Sequence, residues 1–107
     1  MKLKYQGEEI IMLTGKQRSY LRGEANELNP IVHVGKEGLS QAVIDELDEA
    51  LDDHELVKVR VLDNALSEVK DVAYELAETC EAEVVQVIGN VFILFRRNQE
   101  EPIYNLP

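Results

Sequence analysis

The sequence predicts an α/β domain of order αβαβαββ, a four-stranded mixed sheet backed by helices. Three observations carry this reading. Segments with apolar residues at helical spacing alternate with short runs rich in Val, Ile and Phe. The run LVKVRVL alternates strictly, as a strand does when one face is packed and the other wet. EVVQVIG and VFILFRR flank Gly89-Asn90, a dipeptide that suits a two-residue hairpin.

Each element has its own signal. The first helix runs from about Thr14, its N-cap, to Leu28, with Pro30 beyond its end. Tyr20, Leu21, Ala25 and Leu28 form its apolar side, while Lys16, Arg18, Arg22 and Glu27 fall mostly elsewhere. PIVHVG is too brief for a helix and reads as a short buried strand. The second helix begins after Gly38 with Ser40 as N-cap and continues to about Asp53. Val43, Ile44, Leu47, Ala50 and Leu51 share one face of it; Asp45, Glu46, Asp48, Glu49, Asp52 and Asp53 share the other. In the second strand Val57, Val59 and Val61 point one way, Lys58 and Arg60 the other. The third helix spans about Ala65 to Glu81, with Leu66, Val69, Val72, Ala73, Leu76 and Cys80 inward. Crossover helices of this length imply parallel pairing among strands one to three, followed by an antiparallel hairpin. Residues 1–97 form the domain, and residues 98–107 read as a loosely ordered tail whose Ile103, Tyr104 and Leu106 are able to dock.

Composition narrows the class. A chain of 107 residues, 45% apolar and 30% charged, is one globular domain, able to bury roughly two-thirds of its unfolded surface. No apolar run approaches the roughly 20 residues that span a bilayer, and the N-terminal stretch to Leu13 does not read as a signal peptide. A single cysteine, Cys80, excludes an internal disulfide and suits a reducing compartment. The expectation is a cytoplasmic, monomer-sized protein without membrane association. The net charge is −10, unevenly spread: residues 1–36 carry +2, residues 37–83 carry −12, and residues 84–107 are balanced. Such a molecule binds polyanions, if at all, through a cationic face, against an opposing long-range field.

The candidate site follows from that distribution. Gly35-Lys36-Glu37-Gly38 joins an apolar strand to a helix. Backbone amides at a helix start, which glycine lets a ligand approach closely, hold phosphate well. Lys36 adds charge, and the amides of Gly38, Leu39 and Ser40 are the expected donors, with the Glu37 carboxylate turned away. The plainer alternative is a tight turn that needs glycine torsions. Arg18 and Arg22, four apart, share a helix face, and Lys16 lies nearer the helix start. Lys58, Arg60, Arg96 and Arg97 are strand cations able to face outward, or else charges that protect a sheet. His33 sits near the loop and is a weaker candidate. Phe92 and Phe95 point to opposite faces, so at most one is exposed, and a core position suits both.

His33, His54 and Cys80 lack the spacing of a zinc set. GKEGLS is too short to be a nucleotide-cradling GxxxxGK[ST] loop. No nucleophile, base or cofactor set emerges, so a non-enzymatic role is expected, with no cofactor. The acidic face of the second helix is a solvated surface or a contact for a basic partner.

Taken together, LTGKQRSYLR, NPIVHVGKEGLS, HELVKVRVL and VVQVIGNVFILFRR resemble, in order, the successive signatures of the CRM domain, over roughly residues 12–97. This small RNA-binding domain occurs in YhbY-type bacterial proteins and plant organelle splicing factors. The resemblance implies a KH-like fold, similar to the C-terminal domain of the third bacterial translation initiation factor. It also implies a GxxG loop used as KH domains use theirs, to clamp the sugar-phosphate backbone. The implied RNA surface includes the Lys16–Arg22 helix. The implied role is binding of precursor large-subunit ribosomal RNA during ribosome assembly. The alternative, read from the acidic helices and not from the resemblance, is a protein-interaction module that contacts a basic partner such as a ribosomal protein.

Overall fold

The computed structural model describes residues 12–62 and 68–107. Its elements are α1 (Gly15–Ala25), β1 (Val32–Val34), α2 (Gln41–His54), β2 (Leu56–Val61), α3 (Val69–Cys80), β3 (Glu83–Ile88) and β4 (Val91–Phe95). The predicted residues 65–67 of the third helix, Leu66 among them, lie outside the described residues.

Local chemistry sets the helix starts. Thr14 Oγ1 accepts from the Gln17 amide at 3.1 Å and Gln17 Oε1 accepts from the Thr14 amide at 3.0 Å, a reciprocal box at the head of α1. Ser40 Oγ does the same for Val43 at 3.2 Å in α2. α1 stops at Ala25, three residues before the expected Leu28. The chain turns there, with Leu28 N donating to Ala25 O at 3.0 Å, ahead of Pro30, which disfavours helix before it. Leu28 nevertheless packs inward as its spacing predicts.

The sheet is mixed and four-stranded, in the order β1-β2-β4-β3. β1 runs parallel to β2, and β4 runs antiparallel to both β2 and β3. The expected side-by-side pairing of strands two and three is therefore corrected: β4 lies between them. Its residues explain why. Phe92, Ile93, Leu94 and Phe95 are all buried, a continuous apolar run that is stable only where both faces are covered. β3, with half-buried residues and an exposed Ile88, takes the edge. The hairpin turns at Gly89, whose φ of 59° reverses the chain in two residues. Asn90 then pins it to β2: its carbonyl accepts from Val61 N at 2.7 Å, and its side chain donates to Val61 O at 3.2 Å.

The expectation of one packed and one wet face is also corrected. α2 and α3 cover one side, over Val32, Val34, Val57, Val59, Val61, Phe92 and Leu94. α1 covers part of the other, where Leu21 and Ala25 meet Leu56, Val85, Ile93 and Phe95. A register shift between Val84 and Gln86 turns Val85 toward α1 and leaves Val84 and Val87 against the larger core. Phe92 and Phe95 thus end in opposite cores, and neither is exposed. Cys80 fills the larger core; burial foremost, with the nearby Asp48 charge, pushes its thiol upward, toward the neutral form.

Residues 98–107 are held against the domain rather than loose. Tyr104 and Leu106 pack on the core beneath α1, and Gln17 Nε2 donates to Pro107 O at 3.2 Å. Glu55, with no exposed surface, anchors this segment. Its carboxylate accepts from the amides of Asn98 (2.6 Å), Ile103 (2.8 Å) and Tyr104 (3.0 Å) and from Arg97 Nη1 (3.3 Å).

Candidate nucleic-acid interface

The loop after β1 closes on itself. Gly38 N donates to Gly35 O at 2.9 Å, and Gly38 takes a φ of 71°, a torsion that favours glycine. The Gly38 amide is therefore committed to the turn and does not point outward as a phosphate donor, a correction to the expected trio of amides. Leu39 and Ser40 lead from the turn into α2, whose first-turn amides at Gln41 and Ala42 have no carbonyl one turn back. Lys36 and Glu37 occupy the two corners of the turn and are both exposed.

Beside the loop lies an open strip of sheet. His33 pairs with Arg60, and Lys58 pairs with Ile93, which faces the α1 side. Paired residues share a face, so His33, Lys58 and Arg60 all look toward the side that α1 covers only in part. Two residues after His33 comes Gly35, so the strip leads directly into the loop. His33 and Arg60 are exposed and Lys58 is half-buried.

The predicted cations divide into two sets. No ion pair among the described residues involves Lys16, Arg22, Lys36, Lys58 or Arg60. Arg18 is different: it donates to Val84 O and lies 3.5 Å from Glu83 Oε1, fastening α1 to the edge of β3. Arg96 is not an outward cation, which corrects its place among the strand charges. Its guanidinium bonds Asp48 Oδ1 (2.7 Å), Asp52 Oδ1 (2.8 Å), Asp48 O (3.0 Å) and Cys80 O (2.9 Å), clamping the ends of α2 and α3 to the sheet. Burial alone would lower its pKa, but Asp48 and Asp52 together raise it, so it stays charged. Arg97 is spent on Glu55 and Tyr104 O, above the Phe95 ring. The reason is topological: Arg96 and Arg97 leave β4 where α2, the end of α3 and the C-terminal segment bring carboxylates and carbonyls within reach.

Glu55 was invisible to pattern reading, being one of many acids. The signal available was position, since it sits between a helix and a fully apolar strand start. Its φ of 64° marks a backbone that L residues adopt reluctantly.

A mixed sheet with a glycine-closed loop leading into an amphipathic helix, flanked by unpaired cations, defines a small α/β domain with a cationic face suited to a polyanion. The chain belongs to the CRS1/YhbY (CRM) domain family, whose model matches residues 13–96. It is 42% identical over 96 residues to the probable RNA-binding protein YqeI of Bacillus subtilis, covering 90% of this chain and 100% of the relative. It is 35% identical over 91 residues to a Haemophilus influenzae RNA-binding protein, covering 85% and 92%. The solution structure of SAV1595 from Staphylococcus aureus superposes with a TM-score of 0.77 at 41% identity, covering 90% of this chain and all of that one. The two named relatives are described as RNA-binding proteins, not as enzymes.

Proposed function

We propose that this protein binds RNA without catalysing a reaction, and that its RNA is precursor large-subunit ribosomal RNA held during ribosome assembly in the cytoplasm. One observation carries the reading. In a chain of net charge −10, the Lys and Arg side chains that join no ion pair among the described residues are Lys16 and Arg22 on α1, Lys36 in the loop, Lys58 and Arg60 on the open strip, and Lys70 on α3. All but Lys70 belong to the loop or to the α1 side of the sheet, while the acids of α2 lie behind it. Lys36 and the amides leading into α2 grip backbone phosphate, and Arg22, Lys58 and Arg60 extend the grip. The names of the relatives support RNA as the ligand, and the ribosomal target rests on the family resemblance.

The test is a salt titration of binding to large-subunit ribosomal RNA, with wild type beside Lys36→Ala/Arg22→Glu. Each lost phosphate contact flattens the log-log salt dependence by roughly 0.7 for single-stranded contacts. The double change is expected to weaken binding and flatten the slope by about 1.4. An unchanged slope and affinity would overturn the assignment of this face. No binding at low salt, with association to assembling particles intact, would move the function to the acidic side of α2 and a basic protein partner.

A further inference from the structure

A groove of about 370 Å³ opens where the end of α1, the starts of β1 and β2, and the C-terminal segment meet. Leu28, Ile31, Leu56, Ile103 and Tyr104 supply its walls, and Lys58 stands among them. We propose that this groove receives one unstacked base of the bound RNA, and that Glu55 is the residue that positions its outer wall. The inference rests on the RNA-binding reading and adds to it a base pocket outside the phosphate-gripping loop.

The lining matches a base better than any other part of a nucleotide. Ile31 and Ile103 keep 45% and 56% of their surface exposed, so two large aliphatic side chains at the groove face water. A base offers two apolar faces to such walls and polar edges to a rim, and stacking of this kind tolerates many sequences. Asn29 at the rim has both a donor and an acceptor for those edges. Glu27, also at the rim, repels phosphate and keeps the charged backbone out. The backbone has a route past it. Lys58 lines the groove, Arg60 follows about 6.6 Å along the same face of β2, and His33 beside Arg60 leads to Gly35. The groove is thus continuous with the cationic strip.

The groove is also built, not incidental. Ile103 and Tyr104, which close its outer side, are the residues whose amides Glu55 holds at 2.8 and 3.0 Å. Arg97 holds the Tyr104 carbonyl at 2.8 Å. Glu55 is the one fully buried charged side chain among the described residues, and burying a carboxylate is costly unless its partners are fixed. Here its partners are the wall.

The experiment measures binding of a short mixed-sequence RNA strand and of an abasic strand of equal length, by fluorescence anisotropy. The proteins are full-length wild type, Ile103→Asp and Glu55→Ala. Ile103 is exposed, so its substitution leaves folding intact. Wild type is expected to prefer the base-bearing strand by at least about fivefold. Ile103→Asp should abolish that preference, bringing the two strands to equal affinity, while its added charge lowers affinity for both strands alike; Glu55→Ala should reduce the preference. Equal affinity of wild type for both strands, or a preference that survives Ile103→Asp, would overturn the pocket and leave phosphate gripping standing. Binding of neither strand would overturn the RNA-binding reading itself, and the pocket with it.

Discussion

Replacing Glu55 by Ala removes the acceptor for the amides of Asn98, Ile103 and Tyr104 and the partner of Arg97. A hydrogen bond to a charged group contributes about 1.5–3 kcal/mol, so three of them set an upper limit near 9 kcal/mol. The realised loss is smaller, because the C-terminal segment can lift and let water satisfy its amides. What remains is the lost docking of half-buried Tyr104 and Leu106 together with the anchoring itself. We expect a net loss of about 2–4 kcal/mol. For a domain near this size that is a fall in Tm of about 10–30 °C, within a stability of about 5–15 kcal/mol, so the variant still folds. Urea denaturation and amide hydrogen exchange at Ile103 and Tyr104 are the assays.

The same residue makes a pH prediction. Burial pushes the Glu55 carboxyl upward, but the amides of Asn98, Tyr104 and Ile103 and the Arg97 charge outweigh it, so its pKa lies below the usual 4.5. Its contribution is therefore fully present above the unfolded value and lost as pH falls through the lower folded value. Wild type should lose stability across that acid range, and Glu55→Ala should lose less. Unchanged Tm together with unchanged protection of the Ile103 and Tyr104 amides would refute the reasoning.

Two further predictions concern the site's frame. Arg96→Met should cost about 1–3 kcal/mol in urea denaturation, because it leaves the Cys80 and Asp48 carbonyls and two carboxylates without their donor. It should leave the salt slope of RNA binding unaltered; a flatter slope would return Arg96 to the interface. Gly38→Ala places a Cβ at φ 71° and should cost about 1–2 kcal/mol while weakening RNA binding. Stability and affinity equal to wild type would mean that the turn tolerates other torsions.

Much of the fold was legible because its signals are local. Thr14 and Ser40 announce helix starts by side-chain chemistry, Gly89-Asn90 announces a hairpin by torsion, and Val57, Val59 and Val61 announce a buried face by spacing. Lys36 in the loop and Lys58 and Arg60 on β2 join no ion pair among the described residues. Arg18, Arg96 and Arg97 looked identical in the chain, yet their partners at Glu83, Asp48, Asp52 and Glu55 lie more than forty residues away in sequence. No periodicity reports such a distance.

The sequence by itself determined the helices and strands, their order and the glycine turn, because each depends on residues within one or two turns of chain. The tertiary structure alone decided that β4 enters between β2 and β3, that α1 covers part of the second face, and that residues 98–107 are tied to a buried carboxylate. Those outcomes depend on which apolar surfaces compete best for burial, and on which distant donor reaches a charge before water does. Glu55 shows the difference most plainly: one acid among 21 acidic residues in the chain, made structural by where the fold puts it.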